Sequence, residues 1–343
     1  MGGDNAPACV LKGASLALVR HPGLRFLLCG DSERLEPLLA AMPPLKAASS
    51  ILHTTSVIAM DEKPSVAVRQ GKNSSMRLAI DAVQEGRAFG VVSAGNTGAL
   101  MAMAKIVLRT LPGISRPAIV ATFPTLRGEC VMLDLGANVS CDARDLLHFA
   151  IMGDAYARAA LGLNRPKIGL LNIGSEDQKG HEALQEAANM LREHGGGLDF
   201  HGFVEGNHIP EGTVDVVVTD GFTGNVALKM AEGTGRLIRA YMRDAFTSTW
   251  SSRLSALLGK RALTAVRDKL DSRSRNGAMF VGLNGIAVKS HGRADAYAFC
   301  NAISVAVDLA AHDINHKIIA ELACYEKSTP ASAEILPVQE ALR

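Results

Sequence analysis

Two stretches of this chain repeat one another. Residues 91–98 read VVSAGNTG, residues 217–224 read VVTDGFTG, and a helix-like pattern follows each. In both, a β-branched run meets a hydroxyl residue, a glycine, and then Thr-Gly at a helix start. The apolar run suits a buried strand, and Gly95, Gly98, Gly221 and Gly224 permit tight turns and close backbone approach. The helix beyond each turn offers unpaired N–H groups and the positive end of a dipole, a setting suited to an oxyanion. A strand–turn–helix unit written twice confines the chain to folds in which strands and helices alternate. It also marks a candidate enzyme, because two such mouths suit a reaction between a phosphate and a second polar or anionic group.

Further apolar strand-like runs lie near 25–29, 51–58, 89–93, 117–122, 130–134, 167–173, 198–204, 214–219 and 280–288. Helical patterns cover 8–20, 31–41, 74–86, 97–109, 142–161, 180–193, 223–245 and 293–313. This alternation predicts an α/β fold with a mostly parallel sheet flanked by helices. Ligands in such sheets lie beyond the carboxyl ends of strands. The polar clusters fall there: Gly30-Asp31, Ser93 to Thr97, Asp134 to Asn138, Asn172 to Lys179, and Thr219 to Asn225. Residues 246–275 show no strand, and 328–343 read as a loose tail. The expected organisation is one α/β catalytic domain over 1–327 with a helical hairpin inserted at about 246–275.

Composition narrows the function. A net charge of +2 argues against bulk polyanion binding, and 4% aromatics supply few stacking platforms, so no nucleic-acid role is expected. The six cysteines form no CxxC pair and no leader pattern opens the chain, which predicts reduced thiols in the cytoplasm. The apolar stretch 89–108 carries Ser93, Asn96, Thr97 and Lys105, so it reads as strand, loop and helix, not a membrane span. Walker, HExxH and GxSxG patterns are missing, and Gly233-Thr234-Gly235 is followed by Ile238 where a dinucleotide fingerprint needs a third glycine. Asp134, Asp142 and Asp145 have no diagnostic metal spacing. No metal or cofactor is expected.

The candidate site residues follow the echoes. Each turn alone reads as an ordinary helix cap; the matched pair favours anion or acyl-carbonyl binding by Ser93, Asn96, Thr97 and Gly98 and by Thr223, Gly224 and Asn225. The second copy adds Asp220, and Lys229 one helical turn past Asn225. The polar loop 172–181 ends in Lys179 and His181, either a phosphate clamp or a solvated loop. Lys289-Ser290-His291-Gly292 follows an apolar run and offers a second cationic pair. Residues 61–77 read as charged surface leading to a cap at Asn73-Ser74-Ser75. Over 250–270, Trp250, Leu254, Leu257 and Leu258 share helical spacing beside Arg253, Lys260, Arg261, Arg267 and Lys269. That pattern fits an amphipathic hairpin for anionic lipid or an acidic partner, or a dimer face.

Read together, these stretches resemble the bacterial acyl-carrier-protein:phosphate acyltransferases of phospholipid synthesis. The matching segments include MGGDNAP (1–7), EKPSVAVR (62–69), SAGNTGALMA (93–102), LDLGAN (133–138), GLLNIGSEDQKG (169–180), DVVVTDGFTGNVALKMAEG (215–233) and GLNGIAVKSHG (282–292). The resemblance implies transfer of a long-chain fatty acyl group from carrier-protein thioester to inorganic phosphate. It further implies a homodimer with a fold like phosphotransacetylase and the isopropylmalate dehydrogenase class. The family is cytoplasmic and peripherally membrane-associated, passing acyl phosphate to a membrane glycerol-3-phosphate acyltransferase. Relatives carry a short strand ending in an aspartate just before the MGGD stretch, which implies loose anchoring of Gly2, Gly3 and Asp4 here. We expect phosphate at Asn96, Thr97 and Gly98 with Lys179, the thioester carbonyl or a share of the phosphate at Thr223, Gly224 and Asn225, and Asp220 and His291 in acid–base roles. The basic hairpin would receive the carrier protein or membrane. The alternatives are a phosphotransacetylase acting on short acyl-CoA, a membrane-attached scaffold, and, more weakly, a dehydrogenase.

Overall fold

The computed structural model describes residues 1–194, 197–269 and 271–328; the expected tail lies outside them from residue 329 onward. The chain opens with α1 (Ala8–Arg20), β1 (Phe26–Gly30), α2 (Ser32–Ala40), α3 (Pro43–Ala47) and β2 (Ser49–His53). Next come α4 (Pro64–Gln70), α5 (Ser75–Gln84), β3 (Gly90–Ser93), α6 (Thr97–Leu108), β4 (Ala118–Thr125) and β5 (Gly128–Leu133). They are followed by α7 (Ala143–Ala160), β6 (Lys167–Leu171), α8 (Glu182–His194), β7 (Asp199–Val204), α9 (His208–Glu211) and β8 (Val216–Val218). The last part holds α10 (Gly221–Thr247), α11 (Trp250–Leu258), α12 (Lys260–Lys269), β9 (Ala278–Val281), β10 (Ile286–Lys289), α13 (Ala296–Ala311) and α14 (Ile314–Ser328).

Local chemistry accounts for these elements. Ser74 caps α5 by accepting the Arg77 N–H, and Met76 and Ile80 give that helix its buried stripe. Asp142 and Asp145 form a reciprocal capping box that starts α7, a helix apolar almost all round and buried as such. Val216, Val217 and Val218 are fully buried, as a central strand covered on both faces requires. One core lies between the sheet and α7, α8, α13 and α14; a second lies under α4 to α6 and the start of α10.

Eight strands form one sheet in the order β3-β10-β9-β4-β5-β8-β6-β7, while β1 and β2 pair in a separate parallel sheet. Parallel ladders join β3–β10, β5–β8, β8–β6 and β6–β7, and antiparallel ones join β10–β9, β9–β4 and β4–β5. Counted outward from the β9–β4 junction, β10 corresponds to β5 and β3 to β8, with matching directions about a twofold axis. The repeated sequence thus occupies corresponding strands of two halves.

Several expectations need correction. The single run 280–288 is two strands, because Gly282 turns the chain at φ +87°. The runs 117–122 and 130–134 form an antiparallel hairpin that reverses before Gly128 at φ +138°. Residues 61–77, read as charged surface, contain α4 with Ala67 fully buried. α14 was not expected at all; it packs on α7, where Arg158 pairs with Asp154 at 2.9 Å and with Glu321. Among the described residues no helix is long and apolar enough to cross a membrane.

Candidate active site

The first echo ends β3 and the second ends β8. Three antiparallel pairings separate these strands, so they point opposite ways and their turns open at opposite edges of the sheet. The two mouths expected from the sequence therefore do not open side by side. Lys179, grouped with Asn96 and Thr97 from sequence, follows β6, which runs with β8, and so sits at the second echo's edge.

At the first echo Asn96 caps α6, its Oδ1 accepting the Ala99 N–H at 3.0 Å. Its Nδ2 donates to the carbonyls of Ala59 at 3.1 Å, Met60 at 3.0 Å and Glu62 at 2.8 Å. Asn96 is 8% exposed and fully engaged, so its side chain binds the 59–62 segment to α6 and offers nothing to a ligand. Ser93 Oγ accepts the Gly95 N–H at 3.1 Å. Thr97 is exposed, and the N–H groups of Thr97 and Gly98, first in α6, have no acceptor among the described residues. Pro64 stands at the rim: a Cβ on Gly98 would come within 2.7 Å of its Cγ.

Cations gather beside this mouth. Lys289 lies opposite Ser93 in the β3–β10 ladder, and the Ser290 N–H donates to the Ser93 carbonyl at 2.8 Å. Burial pushes the Lys289 ammonium down to about 8; Asp4 opposes that shift and Lys229 adds to it. His291 is also held below its usual value, mainly by burial, with Glu232 opposing and Lys289, Lys229 and Arg293 adding. Lys229 and Glu232 belong to α10 and pair at 3.0 Å, so the helix that starts in the second echo reaches the first. The His291 Nδ1 accepts the Arg293 N–H at 3.1 Å, which leaves the neutral ring's proton on Nε2. Asn276 holds this loop by accepting the His291 N–H at 2.9 Å and donating to Ser290 Oγ at 2.7 Å.

Residues 1–4 complete the group. The Asp4 N–H donates to the Gly292 carbonyl at 2.9 Å, and a Cβ on Gly2 would stand 2.6 Å from Gly95 Cα. The loose anchoring expected for this turn is not found.

The second echo is spent on its own structure. Asp220 caps α10, taking the Thr223 N–H at 2.9 Å and the Thr223 hydroxyl at 2.7 Å. The Gly221 N–H donates to Asn138 O at 2.7 Å and the Gly224 N–H to Asp220 O at 2.9 Å. This helix starts two residues earlier in its copy than α6 does, because the aspartate at 220 has only Ala94 as its counterpart. Gly224 is required by crowding: a Cβ there would lie 1.9 Å from the Asp134 carbonyl. Asn225 remains exposed at this edge.

Three residues matter more than their sequence signal indicated. Asp134, weighed as a metal ligand, is fully buried and accepts N–H groups of Ile119, Gly136, Ala137 and Asn138 at 2.7–3.1 Å. Asn172 pins the 172–181 loop by donating to the Lys179 carbonyl at 3.0 Å, which leaves the Lys179 side chain exposed. Asn276 carried no signal at all, since a lone asparagine in a basic segment resembles a turn residue. Among the described residues no group of three or more His, Cys, Asp or Glu converges as a metal site.

A sequence model of the family described as fatty acid synthesis protein matches residues 1–317. The chain belongs to that family. It is 56% identical to a phosphate acyltransferase from Rhodospirillum centenum, over 97% of this chain and 94% of that protein. It is 53% identical to a phosphate acyltransferase from Paramagnetospirillum magneticum, over 99% of this chain and 96% of the relative. By family the chain is an enzyme, a transferase. Among solved structures, a phosphotransacetylase from Streptococcus pyogenes superposes with a TM-score of 0.63 at 19% identity, covering 89% of this chain and 92% of its own. One from Staphylococcus aureus gives 0.52 at 14%, covering 88% and 99%. These likenesses carry the fold, and the phosphotransacetylase-like α/β architecture expected from sequence is the one found.

Proposed function

We propose that this chain transfers a fatty acyl group from an acyl-carrier-protein thioester to inorganic phosphate at the first echo, giving acyl phosphate for phospholipid synthesis. The reading is supported by one observation: past the end of β3, where Ser93 pairs with Lys289 and Lys289 feels the charge of Lys229, the amides of Thr97 and Gly98 have no acceptor among the described residues. Amides at a helix start with two cations bind a phosphate dianion. Hydrogen phosphate is already nucleophilic near neutrality, so the protein's task is position and oxyanion stabilisation. A phosphate oxygen attacks the thioester carbonyl, the tetrahedral intermediate collapses, the C–S bond breaks, and the carrier thiol leaves with a proton. His291, neutral with its proton on Nε2, serves better as a hydrogen-bond donor to the developing oxyanion than as a base. Asp220, Thr223 and Gly224 hold α10 in place, so that Lys229 reaches the phosphate. Ser93 and Asn96 shape the turn.

The exposed apolar residues Phe222, Val226, Met230, Leu237 and Tyr241 form one stripe on α10, which suits a second copy of the chain. Trp250, Leu257 and Leu258 with the basic α11–α12 segment suit the acidic carrier protein and an anionic membrane surface. The test is phosphate-dependent acyl phosphate formation with purified chain, comparing long-chain carrier-protein thioester with short acyl-CoA. A preference for acyl-CoA would replace the carrier-protein reading with a phosphotransacetylase one. Thr97→Pro, which removes one of these amides at a first helical position that tolerates proline, is expected to lower kcat/KM for phosphate roughly tenfold, and near-normal turnover would remove the phosphate from this mouth.

A further inference from the structure

We infer that the hydrocarbon of the thioester leaves the mouth at the first echo over Met60 and Pro64, with Met60 the residue that selects long acyl chains. This rests on the proposed phosphate site: the thioester carbonyl must come within about 3.5 Å of an attacking oxygen held there. Met60 lies in a tight turn, where the Glu62 N–H donates to the Ala59 carbonyl at 3.3 Å and the Glu62 carboxylate accepts the Ala59 N–H at 3.3 Å. The Asn96 amide fills that turn from the α6 side, bonded to the carbonyls of Ala59, Met60 and Glu62. The polar groups of the turn are used on the Asn96 side, and the Met60 side chain is left 45% exposed.

A single exposed methionine is ordinary on a protein surface. What sets Met60 apart is where it is fixed. Its backbone is bonded to the first echo, and a Cβ on Gly292 would come within 2.9 Å of its Cε, so its methyl lies against the loop that carries His291. Pro64, also exposed, covers Gly98 from the same segment. Thioether and proline ring thus form an apolar rim joining the two loops of the mouth. The other groups near His291 differ in kind: it feels the charges of Glu232, Lys289, Lys229 and Arg293. A hydrocarbon laid over those groups would strip their water without replacing it. Laid over Met60 and Pro64, it removes only apolar surface from water. A flexible thioether also adapts its shape to a long chain better than a branched side chain does.

The test compares palmitoyl and butyryl carrier-protein thioesters as donors to the full chain. Met60→Ser is expected to lower kcat/KM roughly tenfold more for palmitoyl than for butyryl, and Met60→Leu to restore the difference. An equal loss with both donors, the result of a merely structural role, would overturn the assignment, and so would no loss with either. A second readout needs no turnover. In chain isotopically labelled at its methionine methyls, the Met60 signal is the one missing from Met60→Leu. Without phosphate, that signal should shift with the palmitoyl donor and stay in place with the butyryl one. If the unaltered chain forms no acyl phosphate, the proposed function fails, yet the Met60 signal still tells whether an acyl chain lies there. A signal unmoved by the palmitoyl donor would overturn the acyl path itself.

Discussion

At the scale of single residues, the site separates side chains that meet a ligand from those that hold the others still. In the proposed reading Lys289 belongs to the first group. Burial holds its ammonium down to about 8, and only the charged form would attract the proposed phosphate. Affinity for phosphate is therefore expected to fall as pH rises through about 8, so KM for phosphate climbs between pH 7.5 and 9. Lys289→Gln should have a high KM at every pH and lose that rise, which steady-state kinetics across pH would reveal. Asn96 belongs to the second group. Asn96→Ala strips partners from three carbonyls and the Ala99 N–H, and a loss of about 2–4 kcal/mol in urea unfolding is expected. Sequence singled out both residues yet could not divide them, because an asparagine before Thr-Gly looks the same whether it caps inward or binds outward.

At the scale of elements, α10 shows why two glycines of one helix are not equivalent. Gly224 presses on the Asp134 carbonyl, whereas a Cβ on Gly235 would meet nothing within 4 Å. Gly224→Ala should cost about 3 kcal/mol or more, and Gly235→Ala should add about 0.5–1 kcal/mol, since alanine orders the unfolded chain less unfavourably. Paired denaturation curves decide both signs. The sequence announced strand–helix alternation clearly, and most element positions were legible from apolar period. Strand direction was not. A run such as VVV has the same pattern up or down, so nothing local shows that β3 and β8 oppose each other. α4 stayed hidden because its charged flanks outweigh the one buried face built on Ala67.

For the whole molecule, the apolar stripe of α10 predicts association. Val226→Asp with Tyr241→Asp should convert a dimer to monomer in sedimentation velocity, while the circular dichroism spectrum stays the same. Unchanged sedimentation would mean that this stripe holds no dimer contact. The same helix has another consequence. It begins against Asp134 at one edge of the sheet and carries Lys229 to the cations at the other. Ligands gripping two points of one rod share its free energy. Any factor by which phosphate tightens a guest at the Asp220 end must return unchanged as a tighter grip on phosphate, by reciprocity alone.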